Sequence, residues 1–175
     1  IPPTLFASCS LITSFGATFQ NTGVEEIPEN LFSGNPLVTS YGQTFRGCKN
    51  LRSVPAGLFA ASISATVFTN VFSECSALEI VGAGLLNTTA VTTVGYLFDG
   101  CASLHSDVNT IFNLASYPEI VTTTAIFRSC ALLAGKGLAF MGKVPNVTAH
   151  YYAFYACAGL DDYDDLPGNW ITNKL

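Results

Sequence analysis

Residues 45–55 read Phe45-Arg46-Gly47-Cys48-Lys49-Asn50-Leu51-Arg52-Ser53-Val54-Pro55. The opening Phe-x-x-Cys returns at residues 72–75, 98–101, 127–130 and 154–157, with anchors 26 to 29 residues apart. A second series of apolar anchors lies between them: Phe6, Phe32, Phe59, Leu86, Phe112 and Met141 alternate with Phe19, Phe45, Phe72, Phe98, Phe127 and Phe154 at spacings of 12 to 15. A full unit is therefore about 27 residues, repeated about six times, and such a period is the mark of a solenoid. All 13 Phe fall on apolar columns of this frame.

One such unit is too small to bury its own pair of rings. Stacking the units turns each apolar position into a continuous column, and each buried Phe contributes ~2–3 kcal/mol. Segments such as Leu51-x-x-Val54 and Val38-Thr39-Ser40-Tyr41 suit short parallel strands of three or four residues. At ~4.8 Å per coil they predict a rod of about 30 Å. Apolar spacings of three and four predict short helical turns over residues 41–48. Pro28 and Pro55 sit where a first helical turn tolerates proline. Residues 1–160 form the predicted solenoid. The frame fails at Pro167-Gly168, so residues 161–175, opening with Asp161-Asp162-Tyr163-Asp164-Asp165, are expected to form a C-terminal cap or exit segment.

Charged residues are only 11% of the 175, the net charge is −5, and the seven Lys and Arg are scattered. No basic patch for nucleic acid results. No apolar run approaches the ~20 residues of a membrane helix. The repeat already runs at Ile1-Pro2-Pro3 without an initiating Met, which suggests a piece of a longer protein. Five of six cysteines hold one repeat position. That placement predicts buried free thiols used in packing. Stacked coils would bring neighbouring Cα atoms within disulfide range, but parallel Cβ vectors suit the bond poorly.

The order Phe-x-x-Cys-x-x-Leu-x-x-Val-Pro in residues 45–55 resembles the BspA-like leucine-rich repeats of bacterial surface proteins. The Ile27-Pro28-x-x-Leu31-Phe32 and Val38-Thr39-x-Tyr41-x-x-Thr44-Phe45 forms resemble the variant of gut Bacteroidetes proteins, over about residues 1–160. The resemblance implies a leucine-rich-repeat solenoid with a parallel sheet along one face, secreted or held at the cell surface. It also implies adhesion or recognition of a host protein or glycan, and it carries no catalytic motif.

Between the apolar columns, Glu25, Arg52, Glu79, His105, Asp161 and Asp162 are expected to face outward as a row on the strand face. That row is the candidate binding surface, and a merely solvated face is its plain alternative. Thr13, Thr39, Thr66, Thr92 and Thr148 predict a hydrogen-bonded ladder. The acidic run at 161–165 lacks the spacing of a calcium loop. His105 and His150 occupy unrelated columns, so no metal or cofactor site and no catalytic constellation can be assembled, and a non-enzyme is expected. Two other roles stand beside adhesion. One is a structural spacer or appendage component with end-to-end contact to a copy or a flanking domain. The other is a glycan-binding accessory module stacking sugars on Tyr41, Tyr96, Tyr151, Tyr152 and Tyr155.

Overall fold

The computed structural model describes residues 1–172. Six rungs stack in parallel, Ser14 beside Ser40, then Val67, Thr93, Thr122 and Ala149, one per coil. A second parallel ladder joins β1 (Ser53–Val54) to β2 (Ile80–Val81), and Asp107 beside Ala134 extends it. The stacked coils expected from the repeat are present as short parallel rungs. The strands are shorter than the expected three or four residues, because turns crowd both ends of each rung.

The columns form the core. Leu51, Leu78, Leu104 and Leu133 are fully buried, as are Val38, Ala65, Val91 and Ile120. Phe19, Phe45, Phe72, Phe98, Phe127 and Phe154 stack face to face with centroids 5.2, 5.6, 5.5, 5.5 and 5.8 Å apart. Trp170 continues this column at 5.9 Å from Phe154. Offset stacking of this kind adds to the area each ring buries. In the other half-repeat the ring on the column is Phe140, fully buried, and not its neighbour Met141, which is only half-buried. Phe140 lies within α2 (Gly137–Lys143), where the 3.6-residue turn sets which of two adjacent apolar residues points inward.

Residues 41–48 are not helical turns. They form overlapping β-turns in which Thr44, Arg46 and Cys48 donate to carbonyls three residues back. The alternate amides of Tyr41, Gln43, Phe45 and Gly47 donate to Val67, Thr69, Val71 and Ser73 of the next coil, at 2.8 to 2.9 Å. The pattern repeats in every coil and places two left-handed residues in each: Ala17 and Asn21, Gln43 and Gly47, Asn70 and Glu74, Tyr96 and Gly100, Ala125 and Ser129, Tyr152 and Ala156. A left-handed third residue is what a type II turn requires. It costs a residue other than glycine ~1–2 kcal/mol. The cross-coil hydrogen bonds and ring stacking hold it there.

Regular helix appears only late in the chain, as α1 (Val108–Ile111) and α2 in the other half-repeat, and as a 3-10 turn at Tyr163–Asp165 and α3 (Gly168–Ile171) in the C-terminal segment. The Asp107 carboxylate accepts from the Asn109 amide and caps α1, satisfying one of the orphan donors of a first turn. Lys143 donates to the Asn109 and Phe112 carbonyls at the far end of α1. Gly82 stands where an earlier coil has Pro55; a Cβ there would lie 2.3 Å from the Ala56 amide nitrogen. Close approach of two coils therefore explains that departure from the repeat.

All six cysteines are reduced. The thiols of Cys48, Cys75, Cys101, Cys130 and Cys157 each donate to the carbonyl of the preceding coil's anchor: Phe19, Phe45, Phe72, Phe98 and Phe127, at 2.9 to 3.1 Å. The column is a packing position that also needs a donor. In the first coil Thr22 fills it, donating to Phe19 at 2.7 Å.

Candidate functional site

The second ladder carries the predicted row. The Arg52 amide donates to Glu25, the Glu79 amide to Arg52, and the His105 amide to Glu79, so these four stand in adjacent coils. Glu25, Arg52 and His105 are exposed and Glu79 is half-buried. The Arg52 guanidinium meets the Glu79 carboxylate at 3.2 Å. A pair this exposed contributes ~0–1 kcal/mol to stability. A shallow depression of about 290 Å³ is lined by Glu25, Lys49, Asn50, Arg52 and Ala77. His105 Nδ1 donates to the Ser103 carbonyl. Asp161 is exposed but stands apart from the others, since the coil between it and His105 contributes Ala134 and Gly135.

Asp162 does not belong to the exposed row. It is 9% exposed, and its two carboxylate oxygens accept from the Gly137 and Leu138 amides at 2.7 and 3.1 Å. It caps α2 across coils, the placement that the helix dipole and orphan amides favour for a carboxylate. Among the described residues no three His, Cys, Asp or Glu side chains converge as a metal site, the 161–165 run included.

The thiols have the electrostatics of a core. Burial pushes Cys75 and Cys157 up to about 12, and Cys101 and Cys130 well above the ordinary thiol range. A nucleophilic cysteine needs the opposite shift. His150 Nε2 lies 2.9 Å from Asn169 Nδ2 and its ring stacks on Trp170 at 4.6 Å, while its buried Nδ1 has no partner among the described residues. Burial lowers its pKa. The threonine ladder forms: Thr39, Thr66, Thr92 and Thr148 hydroxyls donate to the preceding coil's carbonyls at 3.2 to 3.5 Å.

Of the expected sugar-stacking aromatics, Tyr41 is misplaced. It is fully buried, its hydroxyl 2.6 Å from Ser62 Oγ, and burial pushes it up to about 12. Tyr96, Tyr151 and Tyr152 are half-buried and Tyr155 exposed, all in the turn runs of the fourth and sixth coils. Arg128 of the intervening coil lies 5.7 Å over the Tyr96 ring and holds Asp99 with two hydrogen bonds, 2.8 and 2.6 Å. The hydrogen bond to Asp99, and then the charges of Asp99, Tyr96 and Tyr152, raise its pKa. Arg128 and Asp99 were not singled out from the sequence. Their signal is positional: Asp99, Arg128 and Tyr155 each follow the Phe anchor directly.

No family model and no curated protein matches the chain. Among the solved structures similar to it are two leucine-rich repeat proteins. A T. pallidum leucine-rich repeat protein is 20% identical, over 73% of this chain and 63% of that one, with TM-score 0.37. A Bacteroides ovatus leucine-rich repeat protein is 19% identical, over 90% and 56%, with TM-score 0.26. The chain thus spans less than two thirds of either protein's length.

Proposed function

We infer that the chain is a non-catalytic recognition module that holds a protein or glycan partner on its exposed solenoid surface, outside the cell or at its surface. The observation that carries this is the division of side chains. Five thiols and the stacked rings are sealed in the core, while exposed polar residues recur in register from coil to coil. Such a rigid exterior binds with little ordering cost. The row Glu25, Arg52, Glu79 and His105 is the proposed contact, with Asp161 at its far end. Residues 161–172 act as the cap of the 1–160 solenoid through Trp170; residues 173–175 of the expected cap lie outside the described residues. Nucleic acid is not the proposed partner, since all three arginines pair with an acid of a neighbouring coil. No helix of the described residues is long and apolar enough to cross a membrane.

One observation favours an additional end-on contact. In the first coil Leu11 is 82% and Leu5 45% exposed, and Phe6 and Phe19 are only partly buried. A flanking domain or a second copy would cover this end. The test is binding of the immobilised protein to host-protein and glycan arrays, repeated with Arg52→Ala, Glu79→Ala and His105→Ala combined. Binding lost in the triple variant supports the row. No binder on either array refutes the recognition module, and concentration-dependent filaments in light scattering would favour a structural role.

A further inference from the structure

We propose that Tyr96, Tyr152 and Tyr155, with Arg128 and Asp99, form a platform for a short neutral oligosaccharide; this rests on the chain being a recognition module and names the ligand class and the place.

Of the seven tyrosines, Tyr163 packs against the core in the C-terminal segment, Tyr151 lies beside His150, and the others divide by duty. The two fully buried ones are satisfied within the fold: the Tyr41 hydroxyl pairs with Ser62 and that of Tyr117 donates to the Leu86 carbonyl at 3.1 Å. The hydroxyls of Tyr96, Tyr152 and Tyr155 make no hydrogen bond among the described residues; Tyr96 and Tyr152 hold the same turn position two coils apart, and Tyr155 meets Tyr152. Tyr96 and Tyr152 both hold φ of +58°. A bulky residue there is uncommon, and the fold does not demand one, because the equivalent positions hold Ala17, Gln43, Asn70 and Ala125.

The chemistry of the cluster fits a sugar. Ala125, small and buried, lies between Tyr96 and Tyr152 in register, so the rings rise on either side of it. Tyr155 meets Tyr152 edge-on, centroids 5.8 Å apart at 85°, which offers a corner of ring faces. A pyranose lays its C–H face on such rings and directs its hydroxyls sideways. There the Arg128–Asp99 fork supplies donors and acceptors in one plane. Arg128 spends Nε and Nη2 on Asp99, and among the described residues its Nη1 makes no hydrogen bond. The pair is already neutralised, so an uncharged ligand suits it better than an acidic one. Three coils at ~4.8 Å span about 10–15 Å, room for two or three sugar units.

The test is calorimetric titration with neutral trisaccharides (cellotriose, xylotriose, chitotriose and mannotriose) and with sialyllactose as the acidic control. The unaltered chain should bind at least one neutral trisaccharide. Tyr152→Asn, which keeps a residue at ease in left-handed backbone, and Tyr155→Ala should each weaken binding tenfold or more with unchanged circular dichroism. Tyr152→Phe should stay within threefold, because the ring face does the binding. No neutral binding, binding of the acidic control alone, or tyrosine variants that bind normally would each overturn the platform. If the Arg52, Glu79 and His105 variant loses an array partner while the tyrosine variants keep it, the platform fails and the recognition module stands.

Discussion

Replacing Ala156 by glycine tests the least expected feature of the fold, the left-handed turns of each coil. Ala156 is exposed and has φ of +58°, so the change removes no packing. Relief of the left-handed penalty returns ~1–2 kcal/mol. The extra freedom of glycine in the unfolded chain takes back ~0.5–1 kcal/mol. The net expectation is stabilisation by about 0.5–1 kcal/mol. A helical segment would give the opposite sign, because glycine costs a helix interior ~1 kcal/mol relative to alanine. Urea unfolding followed by circular dichroism reads the difference. With a slope of ~2 kcal/mol/M, the midpoint should rise by about 0.3 M at unchanged slope. Ala156→Val should lower it, since a β-branched residue fits this backbone worst. A midpoint that falls in the glycine variant would refute the turn geometry.

Three further outcomes follow from the C-terminal coils. Trp170→Ala should cost about 3 kcal/mol in urea unfolding, because the ring covers both Phe154 and His150. Asp162→Ala should cost ~1–2 kcal/mol by the same assay, the amides of Gly137 and Leu138 losing their acceptor. Burial lowers the His150 pKa, so the unfolded chain binds its proton more readily. Stability from this residue is complete above ~6.5 and declines as pH falls below it toward the folded pKa. Melting temperatures measured from pH 7.5 to 5 should therefore drop less in His150→Gln than in the unaltered protein.

The columns were legible in the sequence because burial repeats strictly, so the Phe, Leu and Cys positions and the free thiols could be placed by counting. The turn runs were not. Their apolar spacing of three and four also suits a helix, and the residues forced into left-handed backbone include Gln43, Tyr96 and Ala125, which carry no turn signal. Asp162 reads as part of a hydrated acidic run, and only the neighbouring coil's amides at Gly137 and Leu138 reveal its role. Tyr41 reads as a surface aromatic because its partner, Ser62, lies in the next coil. Met141 and Phe140 could not be ranked without knowing that the helix runs through them. Of the candidate row, Glu25, Arg52, Glu79 and His105 follow from alternation alone. The Arg128–Asp99 fork depends on two coils meeting, which no single unit displays.

The stack itself is tested most directly by counting reactive thiols with a small thiol reagent and mass spectrometry. Cys9 is exposed and the other five cysteines are buried and reduced. The folded protein should take up one label quickly, at Cys9, and all six once unfolded in denaturant without reductant. Rapid labelling of any second cysteine in the folded state, or fewer than six in the unfolded one, would contradict the sealed thiol column and with it the stacked coils.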